Sequence, residues 1–481
     1  MPESFLASPT GGPRRVSTAT VRDVIGWAAV LAVPPAVSLA GVGAGFAVEA
    51  SIFTAILTAA VLLWVFSLVD EFIPPIVVVV ATLFINLAPP EVALAGFASP
   101  AFMTLLGVFA LSAAIGISGL ARRIMLMLLA RLPDRPFFHQ FVLLAGGYLL
   151  SPITPSGNNR LSLLLPLYSE MLAGLRLPSG GPAATALMAA AYSGAMLMSP
   201  MLPTSKSSNI AAVALLPVQT QQEFLGLFWL VAAGVAALGL TLAHLVVSTR
   251  LFPTAAGRSL PREEMASMIR QLGPVSASEW ITLGCFVFFL GGAMTVPWHH
   301  VSAAWLAGCV LVVLLVSGVL GREAFRTRID WAMIMFLLGV DGIVRIIGYL
   351  GLDDAIAHLT ADGYGFVGTS IISFILAALV TTLLIRLALP VTAGMLVSVV
   401  ILLPVAAAAG VHPWICVFLT AMFSDIFFFP YQSSVYLQAV SQGLGDTFDE
   451  RRFMAYNSRM NVARVVVAFL SIPWWQWLGL L

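Results

Sequence analysis

Apolar residues along this chain come in long blocks, parted by short polar stretches in which arginine is the usual charge. The blocks fall at about 23–44, 51–69, 74–92, 99–120, 137–172, 183–216, 224–248, 280–297, 301–320, 331–350, 366–409, 413–440 and 465–481. A helix rising about 1.5 Å per residue needs about 20 apolar residues to cross a hydrocarbon core of roughly 30 Å, and most blocks meet that length. The pattern predicts an all-α polytopic membrane protein. Five arginine clusters punctuate it: Arg14, Arg15 and Arg22; Arg122, Arg123, Arg131 and Arg135; Arg250, Arg258, Arg262 and Arg270; Arg322, Arg326 and Arg328; Arg451, Arg452, Arg459 and Arg464. If every block spanned, these clusters would face both sides, whereas cytosolic loops are expected to carry the positive charge. All five reach the cytosol if 137–172 and 366–409 are re-entrant hairpins. About eleven helices then span, with the N-terminus cytoplasmic and the acidic loop Asp353, Asp354 and Asp362 outside. The resulting division is a cytosolic tail 1–22, a first membrane half 23–249, a cytosolic linker 250–279 and a second half 280–481.

Both proposed hairpins are interrupted where a turn is needed, at Pro152, Pro155 and Gly157 in the first and at Pro390 and Gly394 in the second. Non-helical backbone at membrane depth is tolerated only inside protein or along a watery cavity, so these breaks predict a cavity. They also repeat. Pro152-Ile153-Thr154-Pro155-Ser156 leading to Leu164-Leu165-Pro166 recurs in register as Pro390-Val391-Thr392-Ala393-Gly394 leading to Leu402-Leu403-Pro404. Upstream, Leu105-Leu106-Gly107-Val108 matches Leu337-Leu338-Gly339-Val340. Downstream, the block 183–216 breaks at Pro203-Thr204-Ser205-Lys206, and 413–440 breaks at Pro430-Tyr431-Gln432-Ser433-Ser434. The topology places the second copy upside down, an inverted repeat of the kind that builds secondary transporters around a midplane site.

Composition narrows the chemistry. With 60% hydrophobic and 9% charged residues, the chain is far from a soluble domain, of which about 25% is charged. A net charge of +1 gives no reason to expect nucleic acid, and Cys285, Cys309 and Cys416 lack ligand spacing, so neither metal nor cofactor is expected. The first 20 residues read as a cytosolic tail rather than a signal peptide. No phosphate-binding Gly-rich loop with Lys-Ser/Thr occurs, and no His-Glu-x-x-His set, so ATP-driven transport and an intramembrane enzyme are both disfavoured.

Candidate site residues cluster at the breaks. Lys206 is the only lysine, and it falls inside a membrane block among Thr204, Ser205, Ser207, Ser208 and Asn209. A buried ammonium is costly and calls for a partner, an anion among them. At the first hairpin tip Ser156, Gly157, Asn158 and Asn159 offer hydrogen-bonding groups and close backbone approach, and the helix after Arg160 points its positive dipole end there. Thr392 and Gly394 occupy the corresponding tip, and Gln432, Ser433 and Ser434 the second break. Four intramembrane charges are candidates for coupling or for anion contact: Asp425, Asp341, Arg386 and Arg160. Asp341 and Arg345 are spaced for an i,i+4 ion pair, and Asp425 could carry a proton, bind sodium or neutralise Arg386.

The order of helix with Leu-Gly, hairpin followed by Leu-Leu-Pro, and helix broken at Pro-Thr-Ser resembles the divalent anion/sodium symporter family of solute carriers, within the ion transporter superfamily. The resemblance runs from about residue 50 onward. It implies secondary transport of a small anion, such as a dicarboxylate or sulfate-like oxyanion, by an elevator or alternating-access mechanism, with sodium or a proton as coupling ion. A homodimer embedded in lipid, in the cell's inner membrane, is implied with it. Arsenite-type or sodium/proton antiport within the superfamily, or an anion channel, are the alternatives. The family carries Ser-Asn-Thr ten residues before the proline of Leu-Pro, where this chain has Ser156-Gly157-Asn158 and Gly394-Met395-Leu396. Lys206 and the oxygen-poor second tip together predict weak dependence on sodium.

Overall fold

A computed structural model describes residues 21–224, 227–252, 269–352 and 370–481. The acidic loop Asp353, Asp354 and Asp362, Arg258 and Arg262 of the linker, and the start of 366–409 lie outside the described residues. Among the described residues all regular structure is helical. In chain order the helices are α1 (Val21–Gly43), α2 (Val48–Val65), α3 (Ile73–Phe84), α4 (Pro100–Ser118), α5 (Leu120–Arg131), α6 (Pro136–Leu150), α7 (Gly157–Gly174), α8 (Pro182–Met196), α9 (Ser207–Ala214), α10 (Gly234–Leu251), α11 (Ala277–Met294), α12 (Ala303–Val316), α13 (Trp331–Tyr349), α14 (Ile371–Ala388), α15 (Val391–Ala408), α16 (Pro413–Ser424), α17 (Ser434–Ala439) and α18 (Glu450–Leu470), with shorter turns between them. Eight of the described helices (α1, α2, α4, α10, α11, α13, α14 and α15) are long and apolar enough to cross a membrane; α3, α6, α12 and α16 are apolar but shorter.

Local chemistry sets these boundaries. Proline stands in the first turn of α3, α4, α6, α8 and α16, where its missing N–H costs no hydrogen bond. Ser276 and Glu279 form a capping box at α11. Gly119, at φ +77°, ends α4 and starts α5 as a separate helix.

Each interrupted block becomes two helices. Block 137–172 is α6 and α7, parted by residues 151–156; block 366–409 is α14 and α15, parted only by Leu389 and Pro390. Block 183–216 is α8 and α9, with short turns between, and 413–440 is α16 and α17 around residues 425–433. Pro155 and Pro390 cannot donate to a helical ladder and push the preceding residue toward extended backbone, which is why the breaks fall there.

The end of the chain differs from expectation. The last long helix is not a block at 465–481: α18 runs from Glu450 to Leu470, so Arg459 and Arg464 stand on a helix rather than in a loop. Its buried face carries Asn457, Asn461 and Arg464 beside Tyr456 and Met460. Both asparagine Nδ2 groups donate to the Phe427 carbonyl, at 2.8 and 2.7 Å. Hydropathy overlooks such a helix because its inward face is polar.

Helix contacts rely on small residues. A Cβ on Gly147 of α6 would lie 2.2 Å from the backbone of Gly194 on α8, and one on Gly107 of α4 would lie 2.3 Å from the Ala307 carbonyl of α12. In lipid there is little hydrophobic drive between helices, so such close backbone approach supplies the packing.

Candidate functional site

Four helix N-termini meet at one cavity. Ser156 caps α7, its Oγ accepting from the Asn159 N–H at 3.4 Å. Lys206 precedes α9 and Pro390 precedes α15. Ser433 caps α17, its Oγ accepting from the Tyr436 N–H at 3.2 Å. Residues 155–158, 206–208, 390–392 and 433–435 all line a half-open cavity of about 770 Å³. The first N–H groups of a helix have no partner within it, so the four ends surround this space with partial positive charge.

Of the residues singled out from the sequence, Ser156, Gly157, Asn158, Lys206, Thr392, Gln432, Ser433, Ser434, Asp425 and Arg386 line the cavity. Asn159, Thr204, Ser205, Asn209, Gly394, Arg160 and Asp341 do not. Several of these hold the first break together. Thr204 Oγ1 donates to the Pro152 carbonyl at 2.7 Å, tying this break to the stretch between α6 and α7. Ser205 Oγ donates to the Ser199 carbonyl at 2.5 Å, and Asn209 Nδ2 donates to the same carbonyl at 2.6 Å and to Leu202 at 3.1 Å. Arg160 is fully buried: Nε reaches the Ala195 carbonyl at 2.7 Å, one terminal nitrogen reaches the carbonyls of Thr154 (2.6 Å) and Ser205, and the other reaches Ser199 Oγ at 2.5 Å. Its guanidinium thus serves a carbonyl at the end of α8 and two in the stretches that precede α7 and α9. Asp341 accepts from Arg345 Nε at 2.8 Å, the i,i+4 pair that the spacing suggests, and packs against Gly96 away from the cavity.

The sodium:sulfate symporter transmembrane region matches residues 22–481 of the chain. The chain belongs to that family. It is a multi-pass membrane protein. The chain is 23% identical over 292 residues to the inner membrane protein YbhI of Escherichia coli (strain K12), covering 59% of this chain and 61% of that protein. It is 24% identical over 257 residues to a membrane protein of Cupriavidus necator, covering 52% of this chain and 49% of that protein. The alignments therefore span about half to three fifths of these relatives' lengths. In fold it is similar to the crystal structure of the Alcanivorax borkumensis YdaH transporter, with a TM-score of 0.52 and 14% identity over 80% of this chain and 87% of that one.

In this member of the sodium:sulfate symporter family the cavity wall carries three cations, Arg22, Lys206 and Arg386, against two carboxylates, Glu71 and Asp425. Lys206 Nζ and Asp425 Oδ1 form an ion pair that joins the two helix breaks, with side chains only 12% and 2% exposed. Arg386 Nε donates to the Ser424 carbonyl at 3.1 Å, and a terminal nitrogen donates to that of Gln432 at 3.3 Å, closing the C-terminal end of α16. Gln432 Oε1 accepts from the N–H groups of Phe428 and Phe429 at 2.8 and 3.1 Å, so the second break also supplies its own hydrogen bonds. Among the described residues, Asn158 Oδ1, Ser208 Oγ and Asp425 Oδ2 are buried on cavity-lining residues without a hydrogen-bond partner. Also among the described residues, no group of three or more His, Cys, Asp or Glu side chains could hold a metal ion.

Sequence reasoning passed over Glu71, Arg22 and Tyr192. Glu71 reads as an interfacial charge beside Asp70, yet the turn between α2 and α3 delivers it to the cavity. It is exposed there, but surrounding protein limits its water and raises its carboxyl above the usual range, while Arg386 opposes the shift. Tyr192 OH meets Ser433 Oγ at 3.2 Å. Nothing in the local sequence marks these three, because only the tertiary fold brings them to the breaks.

Proposed function

We propose that this cavity binds a small oxyanion, a dicarboxylate or sulfate-like species, and presents it alternately to the two sides of the membrane. The convergence of four helix N-termini on a cavity with more cations than carboxylates carries this reading. Ser156, Gly157, Asn158 and Thr392 would offer the anion hydrogen-bonding groups and close backbone approach, while Lys206 and Arg386 supply charge. The interrupted helices fit the arrangement of eleven spans and two re-entrant hairpins in inverted repeats, with the N-terminus cytoplasmic, divided into halves 23–249 and 280–481 as the arginine clusters suggest. A homodimer in the cell's inner membrane completes the reading.

The test is uptake of labelled sulfate, phosphate, succinate and citrate into proteoliposomes. One of the four should be taken up saturably. Ser156→Ala and Asn158→Ala should then lower apparent affinity about tenfold, since depriving a charged ligand of one hydrogen bond in a water-poor site costs roughly 1.5–3 kcal/mol. Unchanged affinity in both variants would remove the hairpin tip from the site, and a leak independent of any anion gradient would favour a channel.

A further inference from the structure

We propose that the Lys206–Asp425 ion pair is the coupling device: the substrate anion takes Lys206 from Asp425, and Asp425 then takes up one proton, so that anion and proton cross together. The inference rests on the reading of the cavity as an anion site.

The pair spans the two halves of the chain. Lys206 stands at the break between α8 and α9, Asp425 at the end of α16, and both face the cavity. Lys206 is the chain's single lysine, so its position here is not one among many. Asp425 uses Oδ1 for Lys206, while Oδ2 is buried without a partner among the described residues. That oxygen is where a proton can settle without displacing the lysine.

The charges around Asp425 give the order of events. Lys206 faces it from the break, Arg160 of α7 and Arg386 of α14 lie within Coulombic reach, and the Tyr192 hydroxyl of α8 does too. Arg464 of α18 reaches Tyr192, and Glu71 faces Arg386. Three cations thus surround a single carboxylate. An oxyanion entering beside Lys206 supplies a competing negative charge, repels the carboxylate and compensates those cations. Asp425 then accepts a proton on Oδ2 from hydronium in the cavity, leaving water and a neutral carboxylic acid. On the opposite side the acid returns that proton to water, the carboxylate re-pairs with Lys206, and the anion leaves. The empty carrier reorients with its ion pair closed and its charge compensated, so net transport does not require exchange. A sodium ion has no place beside Lys206, because the ammonium already occupies that position with like charge.

Proteoliposomes and the same four labelled anions decide it. An inside-alkaline gradient of about one pH unit, worth about tenfold in driving force per coupled proton, should accelerate uptake, and the external medium should turn alkaline as anion enters. Replacing sodium by choline should leave the rate unchanged. Asp425→Asn should lose the gradient response and net flux but keep exchange of internal for external anion, while Asp425→Glu keeps the response. Uptake that follows sodium and ignores the pH gradient overturns the proposal and leaves the anion site standing. A gradient response that persists in Asp425→Asn and vanishes in Glu71→Gln overturns it as well. If Asp425→Asn does not fold, wild-type uptake without external alkalinisation does so. Failure of all four anions overturns the site reading, and the coupling with it.

Discussion

Glu71 shows how one side chain can tune a site that it does not build. It contributes negative charge to a cavity wall otherwise rich in cations, opposite Arg386. Its raised carboxyl takes a proton at a higher pH than an ordinary glutamate, so acidification removes this charge early and leaves Arg386 unopposed. Apparent anion affinity should therefore rise as pH falls from 7 toward 5. Glu71→Gln should bind more tightly than the wild type at pH 7, and the difference should close at low pH. One charge at a separation on the order of 8 Å is worth roughly 0.5–2 kcal/mol, so a gain of at least about twofold is expected. Binding titrations of both proteins across pH measure it; parallel curves at every pH would deny Glu71 the role. At this scale much was legible. Lys206, Ser156 and Asn158 announced themselves because polar groups inside apolar blocks are costly. Arg160 was equally visible, but its environment was not, and burial turned a candidate anion contact into a clamp on backbone carbonyls.

At the scale of elements, the breaks and the helices that flank them depend on backbone proximity. Gly147 and Gly194 let α6 and α8 touch directly, which fixes α6 against the helix that breaks before α9. Gly147→Val places side-chain carbon where the Gly194 backbone lies, 2.2 Å from an added Cβ, and no rotamer relieves a clash at Cβ itself. Thermal unfolding in detergent should show a loss on the order of 1–3 kcal/mol or more, with poor recovery of monodisperse protein. Gly284→Val, where nothing lies within 4 Å of the added Cβ, is the control and should behave as wild type. Equal stability of the two variants would refute the close contact. The sequence revealed these elements unevenly. Proline placed the breaks, yet α18 escaped notice because asparagine and arginine occupy its buried face.

Over the whole molecule, topology is the property on which the proposed inverted repeat rests. Single cysteines at positions 260 and 360, both outside the described residues, should label from opposite faces, the first only from the cytosol, in a chain whose Cys285, Cys309 and Cys416 are replaced by Ser. Labelling of both from one face would sink the eleven-span arrangement. It would also remove the reason for calling the repeats inverted, since the arginine clusters fix orientation only through the loops that carry them.

The sequence by itself determined the class of this protein: apolar blocks of membrane length, the prolines that interrupt them and a repeat in the same register are local properties that any fold of the chain must respect. It also determined that the breaks hold the polar chemistry, because backbone and side-chain polar groups in lipid must find partners or line a cavity. Only the tertiary structure decided which groups share that cavity. Asp425 met Lys206, 219 residues away, rather than Arg386. Glu71 arrived from the turn between α2 and α3 and Arg22 from the start of α1, while Arg160, Ser205 and Asn209 turned inward to serve carbonyls. The physical reason is that a helix end presents unsatisfied groups whose partners are chosen by distance in space, and distance between remote segments is set by packing alone.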